Sequence, residues 1–197
     1  MRRVARGFTL IELAVTMTLF ALLIAAGLPS FMAWIGNSKV RTVAQSLQDG
    51  VRRAQSEAVR LNQAVVLSLT NSTPALNAPA AANGQNWSIQ SIAQFEDHPA
   101  TFIAGGALAD LASNVSINSN GITALCFNSN GRLMTGTPAS TGVTNATCSV
   151  GTQQFDLTQS SADRPLRVLI AIGGQIRLCD PNRPTLSSTS PDGCPLP

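Results

Sequence analysis

Between Phe8 and Ile35 the chain runs for 28 residues with a single charge, Glu12. As a helix this segment would be roughly 42 Å long at ~1.5 Å per residue, against about 30 Å of hydrocarbon in a bilayer. The pattern therefore predicts a membrane-crossing helix over 8–35. Arg2, Arg3 and Arg6 precede it with no acid among them, a bias that holds the N-terminus in the cytoplasm and sends the rest of the chain across. A cleavable secretory signal is a poor fit. Its apolar core would be about 7–15 residues, with a small residue after it. Here the run is about twice that length, and the small residue, Gly7, stands in front of it.

A plain anchor accounts for the length and the orientation but not for Glu12. A carboxylate in lipid costs on the order of a few kcal/mol and needs a partner or a function. The residues around it, Gly7-Phe8-Thr9-Leu10-Ile11-Glu12-Leu13, resemble the prepilin signature of type IV pilins and type II secretion pseudopilins. The resemblance implies that prepilin peptidase cuts between Gly7 and Phe8 on the cytoplasmic face and methylates the new Phe8 amine. It further implies that Glu12 pairs with the Phe8 ammonium of a neighbouring subunit as helices stack. Physics favours such a pair, because a carboxylate among apolar helices requires a cation. Pro29 lies inside the helix beside Gly27 and removes one backbone donor, so a kink or local melting is expected there.

The formal charge of +3 says little about nucleic acid, because the three leader arginines account for it. Distribution is more informative. Residues 37–60 are basic, residues 61–130 hold Glu96, Asp97 and Asp110 with no base, and residues 131–197 nearly balance. The four cysteines, Cys126, Cys148, Cys179 and Cys194, form no C-x-x-C pair, and His98 is the single histidine. No metal site, cofactor site or catalytic constellation is expected from this set. Outside the cytoplasm disulfides persist. Of three possible connectivities the sequence-local one, Cys126–Cys148 with Cys179–Cys194, is expected.

Past the membrane the helix continues. Val40, Val43, Ala44, Leu47, Val51, Ala54, Ala58 and Leu61 recur at spacings of three and four, one apolar stripe on a polar helix over 36–62. Gly36-Asn37-Ser38 could loosen the link between the two halves. The stripe should cover a sheet built from residues 63–197. Strands are expected at 64–70, 86–93, 101–103, 122–127, 153–157, 166–172 and 175–179, with an exposed loop at 71–86 and a Ser/Thr/Gly loop at 136–150. Asn120-Gly121, Asn130-Gly131 and Gly173-Gly174 read as hairpin turns.

The soluble half is similar to the FimT/FimU minor pilins and to the H-type minor pseudopilin of type II secretion. The likeness rests on the helix through Asn62-Gln63, on Cys126-Phe127-Asn128-Ser129-Asn130-Gly131 and on the last hairpin. It implies an α+β fold of type IV pilin kind: a long N-terminal helix packed on an antiparallel, β-sandwich-like head, with a 1–7 leader and a disulfide-tied tail. It implies a non-enzymatic subunit in the bacterial inner membrane, single-pass with its head in the periplasm. Its partners would be other pilins or pseudopilins and the inner-membrane assembly platform. Some FimT-type pilins contact DNA through a Gly-Arg-x-Arg element. Here the matching stretch is Gly174-Gln175-Ile176-Arg177, with one arginine replaced, so Arg164, Arg167, Arg177 and Arg183 are the candidate DNA contacts. A minor pilin of pilus biogenesis, the type II pseudopilin and a DNA receptor are the three readings carried forward.

Overall fold

The computed structural model describes residues 8–94, 98–111, 114–183 and 190–195. The expected leader 1–7, with Gly7, lies outside them, as do Glu96 and Asp97 of the acidic middle.

Helix α1 spans Leu10–Leu61. Thr9 caps its start, with the hydroxyl accepting the Glu12 backbone N–H at 3.3 Å. Asn62 ends it in the left-handed conformation, its N–H reaching the Ala58 and Val59 carbonyls. The melting expected at Pro29 does not occur, and the helix runs through it unbroken. Proline's fixed φ is itself helical, and its costs, one missing donor and crowding of the carbonyl four residues back, fall on an exposed stretch. Two regimes divide the rod. From Phe8 to Met32 every residue is exposed. From Gly36 onward burial follows the apolar stripe, with Val40, Val43, Ala44, Leu47, Val51, Ala54 and Ala58 at 0–1% exposure.

The head follows in chain order as β1 Val65–Thr70, β2 Asn86–Ser91, β3 Phe102–Ala107, α2 Leu108–Leu111, β4 Ser116–Asn118, β5 Ala124–Phe127, β6 Leu133–Met134, α3 Pro138–Thr141, β7 Gln153–Thr158, β8 Leu166–Ile170 and β9 Ile176–Cys179. Two antiparallel sheets result, ordered β3-β2-β1-β5-β6 and β4-β7-β8-β9. Strand alternation aims Val65, Leu67, Leu69, Leu125 and Phe127 of the first sheet at the stripe. Phe155, Leu157, Val168 and Ile170 of the second join the same core. The helix thus serves as the shared floor of both sheets. Each fully buried Leu or Val there contributes about 1.5–3 kcal/mol.

The other face of the first sheet is also covered. Val66, Ala124 and Cys126 pack with Ala80, Val143, Ala146 and Cys148. The segments 71–86 and 136–150 are mostly exposed, as expected of loops, but they also act as lids that send Ala80, Val143 and Ala146 down onto this face. A central strand flanked on both sides by partners leaves an apolar back that needs cover. Cys126–Cys148 fastens one of the lids. The Asn120-Gly121 turn has the left-handed φ values its sequence demands, 51° and 83°. It carries the chain from β4 in one sheet to β5 in the other, and so is no hairpin. Asn130-Gly131 and Gly173-Gly174 do close hairpins, β5–β6 and β8–β9.

Candidate functional site: the exposed helix and the base of the head

The apolar half of α1 presents Phe8, Leu10, Ile11, Leu13, Val15 and their successors to the surroundings, with Phe8 at 84% exposure and Leu10 at 88%. Glu12 stands in the first turn, where the helix dipole favours an anion. Its carboxylate makes no ion pair among the described residues. The chain therefore carries a rod that is predominantly apolar outside, the Thr16 and Thr18 hydroxyls bonding back to helix carbonyls, and that bears one acid without an ion pair near its start. Such a surface is stable only in lipid or against other helices.

Where the rod meets the head, Gly36-Asn37-Ser38 is a point of attachment, not of loosening. A Cβ on Gly36 would lie 2.5 Å from Gln159 Oε1 and 2.8 Å from the Ala162 nitrogen, so only glycine lets the 159–164 loop approach. Asn37 then grips that loop at two places. Its amide donates to Asp163 Oδ1, and its carbonyl oxygen accepts the Arg164 backbone N–H at 3.1 Å. Further along, the Gln55 amide donates to the Gly131 carbonyl at 2.8 Å and to the Gly174 carbonyl at 3.0 Å. One side chain thereby ties a turn of each sheet to the helix. Trp87 is clasped between helix and sheet, with Gly50 on one side and Gly106 on the other; a Cβ would fall 2.9 Å and 2.6 Å from its indole. The sequence offered Gly36-Asn37-Ser38 only as a loosening and did not single out Gln55 or this glycine pair. The only local signal was a glycine standing at a stripe position of α1.

The four arginines do not form one open basic face. Arg167 pairs bidentately with Asp156, its cross-strand neighbour, at 2.6 and 3.1 Å. Arg183 bridges Asp192 at 3.0 Å and Asp180 at 3.8 Å. Arg177 is exposed opposite Leu169, and Arg164 lines a cleft at the base of the head. A disulfide joins Cys179 to Cys194. Asp180 N–H donates to the Asp192 carbonyl at 2.7 Å, so the tail folds back beside β9. No set of three or more His, Cys, Asp or Glu residues is placed to hold a metal among the described residues.

The minor pilin FimU of Pseudomonas aeruginosa is similar in structure, with a TM-score of 0.51 at 17% identity, over 73% of this chain and 93% of that one. This likeness concerns the fold. The minor pseudopilin EpsH of the Vibrio cholerae type 2 secretion system aligns over 74% of this chain and 99% of that one, at 12% identity and a TM-score of 0.47. No curated protein sequence matches the chain. The family model of the prokaryotic N-terminal methylation motif matches residues 2–28, the segment that holds Phe8 and Glu12. The model of type II transport protein GspH matches residues 43–174, from the buried stripe through both sheets to the last hairpin turn. Rod, sheets and motif together make the chain a minor pilin or pseudopilin, and by that match it belongs to the GspH family.

Proposed function

We propose that this chain is a non-enzymatic filament subunit that takes part in type IV pilus biogenesis or filament initiation. Prepilin peptidase removes residues 1–7 and methylates Phe8. The subunit then waits in the inner membrane, N-terminus cytoplasmic and head periplasmic, until it is drawn into a filament. There Glu12 meets the Phe8 ammonium of an adjoining copy or of another pilin, and the exposed face of α1 packs against its neighbours. The carrying observation is the fully exposed apolar stretch from Phe8 to Met32 with Glu12 as its sole charge. Two unpaired charges in an apolar bundle are costly, and their meeting drives register as well as contact.

The test is mass spectrometry of protein extracted from native membranes. The expected species begins at N-methylated Phe8. Material that retains the first seven residues would remove the subunit reading and leave a tethered extracytoplasmic head. The GspH match favours a second reading, the H-type pseudopilin of a type II secretion system. Pull-down of the processed protein separates the two by whether pilins or pseudopilins come with it. DNA contact is the weakest supported of the three, since Arg167 and Arg183 are engaged by carboxylates. It predicts a low-salt DNA shift that falls on replacing Arg164 and Arg177.

A further inference from the structure

At the base of the head the helix and the second sheet leave a cleft of about 820 Å³. Trp34 and Arg41 line one wall from α1; Asp163 and Arg164 line the other, from the loop before β8. Its height along the rod is fixed by chain geometry. The stretch from Phe8 to Ile35 is roughly 42 Å long, close to the about 40–45 Å of a bilayer with its headgroups. With Phe8 at the cytoplasmic boundary, Trp34 reaches the opposite interface, the level where tryptophan is enriched. Phe31 and Met32, just below, are exposed, and in this placement they fall at the level of the acyl chains. The lower rim of the cleft therefore sits at headgroup level, and Arg41, about 10 Å further along the rod, has a long side chain that leans back toward that level, as helical side chains do.

Charge decides what fits. Asp180 and Asp192 also line the cleft but are engaged by Arg183. Arg41 and Arg164 are exposed and make no ion pair among the described residues. Asp163 is exposed and, among the described residues, is held by the Asn37 amide alone. The groups without a charged partner among the described residues are thus two guanidinium forks and one carboxylate. Guanidinium forks match a phosphodiester, and a carboxylate oxygen is best met by a charged N–H donor. A phosphodiester joined to a primary ammonium presents both. A quaternary ammonium has no N–H to give, and a glycerol headgroup offers only neutral hydroxyls.

We propose that this cleft binds the headgroup of one phosphatidylethanolamine, phosphate on Arg41 and Arg164 and ammonium on Asp163, while the subunit resides in the membrane. The inference rests on the membrane placement given above. The acyl chains lie along Phe31 and Trp34, and the lipid must be stripped when the subunit is extracted into a filament. The site thus sets part of the cost of leaving the bilayer.

The full chain in mild detergent, mixed with equal amounts of phosphatidylethanolamine, phosphatidylglycerol and phosphatidylcholine, is read by native mass spectrometry. One phosphatidylethanolamine per chain should be retained in preference to the other two. Replacing Arg41→Gln with Arg164→Gln should lower that retention by about tenfold or more. Ser38→Trp, which fills the cleft and leaves every charge in place, should do the same, and Asp163→Asn should abolish the preference over phosphatidylcholine. Equal retention of the three lipids, or retention that survives Ser38→Trp, overturns the proposal. Displacement by equimolar inorganic phosphate or glycerophosphoethanolamine would assign the cleft to a soluble phosphoester and overturn the lipid. Release of the chain from membranes by alkaline carbonate would sink the membrane placement itself. A chain that stays embedded but keeps no phosphatidylethanolamine sinks only this site.

Discussion

Gln55→Glu exchanges an amide NH₂ for an oxygen at the point where two turns meet. In the native protein that NH₂ donates at 2.8 Å to Gly131 and at 3.0 Å to Gly174. Glutamate has the same shape, so no cavity opens. Its charged form donates to neither carbonyl and sets an anionic oxygen against both. Two hydrogen bonds at about 0.5–1.5 kcal/mol each, with the added penalty of half-buried acceptors left unmet, put the loss at about 2–4 kcal/mol. For a head of this size that lowers the melting temperature by roughly 6–12 °C. Protonation restores one donor, so the introduced carboxyl has a folded pKa raised above its ordinary value of about 4.3. Its contribution to stability is then complete below about pH 4.3 and is lost as pH rises through the raised folded value. Denaturant unfolding of the full chain in detergent, followed by near-ultraviolet circular dichroism, should show a deficit against wild type that is markedly smaller at pH 4 than at pH 7. Gln55→Leu, which cannot titrate, should be destabilised equally at both. A Gln55→Glu protein within ~0.5 kcal/mol of wild type at pH 7, or a gap indifferent to pH, would refute the clamp.

Glu12→Ala should leave removal of residues 1–7 intact and sharply reduce incorporation into filaments, measured by comparing processed protein in membranes with that in sheared filaments. Gly106→Ala places a methyl 2.6 Å from the Trp87 indole, whose other side is held by Gly50. It should cost about 1–3 kcal/mol by overpacking and alter the near-ultraviolet tryptophan signal. Replacing Cys126 and Cys148 together by serine removes a crosslink across a sequence separation of 22. It should cost about 3 kcal/mol and open the 136–150 lid to limited proteolysis, with new cleavage mapped by mass spectrometry.

Local patterns in the sequence carried the helix and most strands. The stripe from Val40 to Ala58 was legible because 3.6-residue periodicity reports burial directly. The β8–β9 hairpin was legible because β-branched runs flank Gly173-Gly174. The two antiparallel sheets packed on the helix follow the fold that the resemblance implied. Short elements escaped: Ser116–Asn118 alternates buried and exposed for only a few residues, and Leu133–Met134 is two residues long. Asn120-Gly121 gave the right backbone angles but not the destination, since turn chemistry fixes local geometry and says nothing of which sheet comes next. β3 runs further than expected because Gly105-Gly106, poor strand formers, are there to admit Pro74 and Trp87. At the candidate site the leader motif and Glu12 were readable from contiguous residues. The Gln55 clamp was not, because its partners lie 76 and 119 residues away and only the assembled topology brings them together.

The grip of Gly36 and Asn37 on the 159–164 loop leaves no swivel between rod and head. The azimuth at which the head faces outward is therefore dictated by whichever side of the rod its neighbours seize. Each α-helical residue advances the phase by about 100° and the height by ~1.5 Å. A single-residue insertion between Ile24 and Trp34 would leave both halves intact and yet point the head in a wholly different compass direction within the polymer.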